Sequence, residues 1–164
     1  MHNSKFTSID LFAGCGGLSL GLEQAGFQPL FVNEINKDAL KTYFMNREEY
    51  SYLQDDKFHK NDIKDCINPE FFTELFKNLK KKHSRDFKKY NVDLVVGGPP
   101  CHGLSGIGLR RSYSVEKSQL PSNQLFEDMA YFVHKIRPKI FLFENVEGLL
   151  RGRWTKGGKK GEIF

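Results

Sequence analysis

Apolar positions recur along the chain in two alternating rhythms, and these predict a succession of strands and helices. Ser8-Ile9-Asp10-Leu11-Phe12 reads as a buried strand; beyond a glycine-rich step, Leu18, Leu22 and Ala25 share one face of a helix that Gly26 ends. Leu30-Phe31-Val32-Asn33 is a second short strand, followed by a helix from Lys37 to Phe44 with Leu40, Tyr43 and Phe44 turned inward. After a polar connector, a weaker third strand is expected around Phe58 to Ile63. Asn68 as cap and Pro69 in the first turn then open a helix with Phe72, Leu75, Phe76 and Leu79 on its stripe. Val92-Asp93-Leu94-Val95-Val96 is the clearest strand, and it runs straight into Gly97-Gly98-Pro99-Pro100. A last helix starts near Ser122 or Asn123, carries Leu125, Met129, Phe132, Val133 and Ile136 on its core side, and stops before Pro138. Ile140-Phe141-Leu142-Phe143 forms the final strand.

Strands alternating with helices at these spacings predict an α/β fold: a doubly wound, mostly parallel sheet with ligands gathered at the carboxyl ends of its strands. Residues 1–150 are read as one domain, and 151–164 as a basic Gly/Lys-rich segment that starts a truncated continuation or belongs to a split gene product. The stretch from Gly103 to Pro121 is rich in Gly, Ser and Arg and long for a connection in a compact domain, which marks it as a functional loop.

Composition narrows this picture only at a few points. With 39% hydrophobic and 27% charged residues, neither a disordered chain nor a disulfide-stapled miniature is expected. No apolar run approaches the ~20 residues that span a bilayer, and Met1 to Lys5 lead into a strand rather than a signal sequence. A cytoplasmic, nucleoid-associated location away from membranes is the expectation. Cys15, Cys66 and Cys101 are odd in number and far apart, so reduced thiols are expected and no metal site. The net charge of +5 favours a polyanionic partner. Of the two basic clusters, Lys77 to Lys89 reads as a solvated helix face with the loop after it. Arg151 to Lys160 reads as a phosphate-seeking loop or a linker.

The candidate chemistry sits at the predicted strand ends. Asp10-Leu11-Phe12-Ala13-Gly14-Cys15-Gly16-Gly17 places small residues between a strand and a helix, so a nucleotide-like ligand can approach the main chain and face the helix amino end. Its glycine spacing is not the GxGxxG of nicotinamide or flavin enzymes. Glu34, after Asn33, stands where an acid accepts hydrogen bonds from ribose hydroxyls, or else caps the next helix. Asp62 ends the third strand and is positioned to accept from an adenine amino group, with a purely structural use equally open. Pro99-Pro100 stiffens the backbone directly before Cys101, a placement that suits a nucleophile better than packing. Such a thiol needs a positive or hydrogen-bonding environment, for which His102, Arg110 and Arg111 are the nearest candidates in sequence. Glu144-Asn145-Val146 ends the last strand, at the same predicted edge as Cys101, where a carboxyl group can donate a proton to a ring nitrogen.

The set Asp10 to Gly17, Asn33-Glu34, Asp62, Gly98-Pro99-Pro100-Cys101 and Glu144-Asn145-Val146, in that order and spacing, resembles the cytosine-5 DNA methyltransferase family over Ser8 to about Leu150. The resemblance implies a Rossmann-like fold that binds S-adenosylmethionine and leaves S-adenosylhomocysteine. Phe12, Gly14, Gly16, Gly17, Glu34, Ile35, Asp62, Pro99 and Leu125 are the implied cofactor residues. Phe12 would pack near the adenine, Ile35 would cover its face and Asp62 would contact its amino group. Cys101 and Glu144 are the implied catalytic pair, with Pro100, Ser105, Arg110, Arg111, Asn145 and Val146 toward the substrate. The implied partner is double-stranded DNA, in a restriction-modification system, with the target cytosine flipped from the helix. His102 and Leu104 depart from the family's usual glutamine and phenylalanine. The arginine-rich motif, the target-recognition region and the closing motifs are absent from this sequence. The resemblance therefore implies a half that needs a complementary carboxyl-terminal part, in cis or as a separate chain. The same chemistry on transfer RNA, and a non-catalytic module that binds the cofactor or DNA, are the alternatives. An amino-group methyltransferase is disfavoured because Cys101 stands where those enzymes place an aromatic residue.

Overall fold

A computed structural model describes residues 6–83, 92–100 and 125–147. In chain order the elements are β1 (Phe6–Leu11), α1 (Gly17–Gln24), β2 (Phe27–Asn33), α2 (Lys37–Met45), a 3-10 run (Glu48–Gln54) and β3 (His59–Lys60). A 3-10 turn (Ile63–Cys66), α3 (Pro69–His83), β4 (Leu94–Gly97), α4 (Leu125–Ile136) and β5 (Ile140–Phe143) follow. The sheet runs β3-β2-β1-β4-β5, and every pairing is parallel. Strand order reverses between β1 and β4, which makes their carboxyl ends the switch point of a doubly wound sheet.

Side chains alternate along each strand, and both faces are covered at the centre of the sheet but not at β5, where Ile140, Phe141 and Leu142 stay exposed. On one face the ring of Phe31 packs 5.5 Å from Phe71 of α3 and 6.0 Å from Phe132 of α4. On the other, Asp10 accepts from Ser19 of α1, whose hydroxyl also meets Tyr43 of α2. Ile9, Leu11, Leu30, Val32, Val95, Leu79 and Ile136 are fully buried between these layers. At the amino ends of the strands, Asp93 accepts from the Thr7 amide at 2.7 Å, the Thr7 hydroxyl at 2.9 Å and Lys139 Nζ at 2.6 Å. This latch joins β1 to the segments that enter β4 and β5.

Several boundaries differ from the periodic reading. β1 ends at Leu11 rather than Phe12, because Phe12 takes a left-handed φ of 58°. The register of β1 on β2 shifts between Ser8 and Ile9, opposite Pro29, whose missing amide cannot complete a regular ladder. β3 is only His59–Lys60, and Ile63 lies in the 3-10 turn that Asp62 caps. The inward face assigned to α1 is wrong: Leu18 is 39% exposed, Ala25 is exposed and Leu22 half-buried, whereas Ser19 is buried. α1 turns a hydroxyl inward because the strand beneath it carries a carboxylate, an exchange that hydrophobic periodicity cannot register. The proposed helix start at Ser122 or Asn123, the loop 103–121 and the segment 151–164 lie outside the described residues.

Candidate active site

The turn after β1 is built from left-handed residues. Phe12 (φ 58°), Gly14 (φ 57°) and Gly16 (φ 91°) reverse the chain within five positions, and a phenylalanine in that region is a genuine conformational outlier. The surrounding structure holds it there. The Ala13 amide donates to the Asn33 carbonyl at 3.0 Å, and the Phe12 ring is partly buried against the core.

Glu34, at the end of β2, is 8% exposed, and both of its oxygens are engaged: Oε2 accepts from the Gly14 amide and Oε1 from the Asn36 amide, each at 2.7 Å. The carboxylate is thus first a backbone clamp between the glycine turn and the amino end of α2. Each oxygen keeps a second lone pair with which to accept from a ligand hydroxyl. Asn33 Nδ2 donates to the carbonyls of Lys60 and Asn61, and Asn61 Nδ2 donates to the Glu34 carbonyl at 3.3 Å. The ends of β1, β2 and β3 therefore form one stitched shelf. Ile35 stands 68% exposed above it, and Asp62 caps the 3-10 turn by accepting from the Lys64 amide at 2.9 Å. Leu125 opens α4, partly buried against the core.

The shelf fits an adenosyl ligand on one point of its own geometry. A Cβ built on Gly14 or Gly17 would meet nothing within 4 Å. Gly17, which also lacks a positive φ, thus has no packing reason to be glycine. A bare backbone facing open space beside a carboxylate suits a ligand that lies against the main chain.

The second group of residues lies on the neighbouring strands. Leu11 pairs with Gly97, and a Cβ on Gly97 would come within 2.9 Å of the Leu11 carbonyl, so the end of β4 abuts the start of the glycine turn. Past β5 the Glu144 amide still donates to the Gly97 carbonyl at 3.0 Å. A Cβ on Gly98 would lie 2.8 Å from Glu144 Oε2, so the bare glycine lets this exposed carboxylate lie close against the backbone. Asn145 Nδ2 donates to the Pro99 carbonyl at 3.0 Å, and Asn145 Oδ1 accepts from the Val146 amide at 2.9 Å. The Pro99-Pro100 and Glu144-Asn145-Val146 segments are thereby joined directly, at the edge where the sequence expected them. Cys101, Ser105, Arg110 and Arg111 lie outside the described residues; Cys101 follows Pro100 in the chain. Of the other cysteines, Cys15 is exposed in the glycine turn, and Cys66 is buried, which pushes its thiol up to about 12 and leaves it inert.

Beneath the turn lies a cluster that sequence reasoning missed. Arg47, directly after α2 and 3% exposed, donates from Nη2 to the Gly16 carbonyl at 2.7 Å, from Nη1 to the Tyr43 carbonyl at 3.1 Å and from Nε to Glu23 at 2.6 Å. Its guanidinium stacks 3.9 Å over the Tyr43 ring. Burial pushes the Asp10 carboxyl up to about 6, against the opposing pull of Ser19 and Arg47, and burial raises Glu23 and Tyr43 as well. The available signal was a charged residue in an otherwise buried strand, Asp10, which demands partners. Nothing in the spacing pointed to Arg47 as one of them.

An open groove of about 490 Å³ beside α2, lined by Lys37, Leu40, Phe44, Met45 and Asn61 among others, meets the strand-end shelf only at Asn61. Among the described residues no group of three or more His, Cys, Asp or Glu is arranged to hold a metal ion, and no helix is long and apolar enough to cross a membrane.

A family model of C-5 cytosine-specific DNA methylases matches residues 6–157. The chain is 37% identical over 143 residues to the type II methyltransferase M.AgeI of Thalassovita gelatinovora, covering 87% of this chain and 28% of that protein. It is 32% identical over 150 residues to M.Eco47II of Escherichia coli, covering 92% of this chain and 29% of the relative. Among solved structures, a prophage-encoded Escherichia coli protein assigned as a DNA modification methyltransferase superposes with a TM-score of 0.62 at 30% identity, covering 89% of this chain and 33% of that one. The S. pombe Dnmt2 methyltransferase shares the fold with a TM-score of 0.52 at 18% identity, covering 87% of this chain and 35% of the other. The chain spans about three-tenths of the length of these curated relatives.

Proposed function

Because the chain belongs to the C-5 cytosine-specific DNA methylase family, we propose that it is the cofactor-binding and catalytic part of an enzyme that methylates carbon 5 of cytosine in double-stranded DNA, within a restriction-modification system. Target recognition then falls to a complementary carboxyl-terminal part, in cis or in trans. The observation that carries this reading is the junction of β4 and β5. Asn145 bonds to Pro99, and Glu144 fills the space over Gly98, so the acid stands beside the backbone that leads directly into Cys101.

In this proposal Cys101 adds as thiolate to carbon 6 of a cytosine held outside the duplex. Flipping the base costs a few kcal/mol of unstacking. Glu144 holds or protonates N3, so the electron pair that would collect on the ring is available at carbon 5. S-adenosylmethionine held on the shelf would supply the methyl group for that carbon. Removal of the carbon 5 proton and departure of the Cys101 sulfur restore the ring. Glu34 would accept from the ribose hydroxyls with its remaining lone pairs, Asp62 would meet the adenine amino group, and Phe12, Ile35, Pro99 and Leu125 would line the cofactor. Ser105, Arg110 and Arg111 contact the DNA, with Pro100, Asn145 and Val146 beside the base.

The test is covalent capture. Incubated with S-adenosylmethionine, a complementary carboxyl-terminal half and DNA carrying 5-fluorocytosine, the chain is expected to form a denaturation-resistant adduct that Cys101→Ser abolishes. No adduct with DNA, but one with RNA, moves the substrate to RNA; cofactor binding with no adduct on either leaves a non-catalytic module.

A further inference from the structure

Gly16 is enclosed from below. A Cβ there would lie 2.5 Å from Arg47 Nη1 and 2.6 Å from the Tyr43 ring, while Gly14 and Gly17, on either side, face open space. The glycine turn thus has an outer surface free for a ligand and an inner surface seated on one guanidinium. We propose that Arg47 is a positioning residue for the cofactor: it fixes the Gly14–Gly17 backbone through the Gly16 carbonyl, without touching the ligand.

Three features support this. Arg47 is the one side chain among the described residues that bonds to the Gly16 carbonyl, and its fork also spans to the Tyr43 carbonyl, so α2 and the turn are set by the same rigid plane. Its third arm is engaged by Glu23 of α1, the helix that begins at Gly17, which fixes the direction of that helix relative to the turn. From the strand side, Asp10 holds Ser19 of the same helix at 2.6 Å, with Tyr43 completing the contact. The turn and the first two turns of α1 are therefore braced from α2 and from β1. A lysine at this position keeps the charge but not the fork, and cannot satisfy Gly16, Tyr43 and Glu23 together.

The inference rests on the proposed use of the shelf for an adenosyl cofactor, and the experiment separates the two. S-adenosylhomocysteine affinity is measured by calorimetry for the wild-type chain, Arg47→Lys and Asp93→Asn, each with a urea unfolding curve. Asp93→Asn breaks the latch at the opposite ends of the strands and serves as a destabilised control. Arg47→Lys is expected to weaken binding by about tenfold or more, the scale of one hydrogen bond to a charged group, while Asp93→Asn binds within about twofold of wild type. A folded Arg47→Lys that binds like wild type overturns the proposal, and so does equal weakening in both variants, which would mark a general loss of stability. Failure of the wild-type chain to bind S-adenosylhomocysteine overturns the cofactor reading itself, before any substitution is considered.

Discussion

The two halves of the candidate site are secured in different ways. On the β1–β2 side, Glu34, Asp10, Ser19 and Arg47 are all at most 8% exposed, and the glycine turn is tied to buried side chains at Gly14 and Gly16. On the β4–β5 side, Glu144 is exposed, and Ile140, Phe141 and Leu142 of β5 are 67%, 61% and 47% exposed. There, among the described residues, the geometry comes from backbone ladder bonds and from the Asn145 side chain. The shelf around Gly14 and Glu34 is thus organised by buried side chains, whereas Glu144 is presented at the end of the sheet with its side chain exposed. Substitutions should separate the two sides: stability is at stake on the first, chemistry on the second.

The sharpest contrast is expected from Glu144→Gln. In an assembly competent for methyl transfer, losing this acid should slow transfer to DNA by roughly a hundred- to ten-thousand-fold. An exposed side chain in this position should nevertheless leave urea-unfolding stability within about 0.5 kcal/mol. A large stability loss would erase the distinction between the halves. Gly16→Ala tests the other side: a side chain forced to φ 91° and against Arg47 and Tyr43 should destabilise the chain by about 3 kcal/mol or more. An unchanged midpoint would mean the guanidinium moves aside freely.

Asp10→Asn addresses the same region through pH. Because burial raises the Asp10 carboxyl from 3.8 to about 6, the folded state holds its proton more tightly than the unfolded chain does. The Asp10 contribution to stability is then full below about pH 4, is lost as pH rises to about 6, and is flat above. Two units correspond to roughly 2–3 kcal/mol. The asparagine variant should lack that decline, so that wild-type and variant stabilities, measured from pH 4 to 7, diverge across the window. Parallel curves would show that Asp10 is solvated. The mildest effect is expected of Glu34→Gln, at about 2 kcal/mol, because an amide can accept from only one of the Gly14 and Asn36 amides and presents a donor to the other. Compared with Glu144→Gln, the same chemical change would then cost stability on one side of the site and almost none on the other.

How much was legible in the sequence follows the same division. The strand and helix succession was readable because β1, β2, β4 and β5 are short apolar runs closed by Gly, Pro or Asn signals, and the helices α3 and α4 carry long, regular stripes. Boundaries and short elements were not. β3 has two residues and too little pattern to locate, and α1, at eight residues, offers too few turns to tell which side is inward. The motifs at the strand ends were legible as residue types, and Glu34 was correctly placed after β2. Its double engagement with the Gly14 and Asn36 amides depends on where the Gly14 backbone turns, twenty positions earlier.

By itself the sequence determined the parallel α/β architecture, the family, and the meeting of the Pro-Pro and Glu-Asn-Val segments, because each follows from local periodicity or from motifs whose order the sheet preserves. Only the tertiary structure decided what holds the glycine turn. Arg47 reaches Gly16 across 31 positions of chain, and whether a charged residue is buried depends on the carbonyls and carboxylates that folding brings around it. Such partners are set by three-dimensional packing, and no spacing along the chain encodes them.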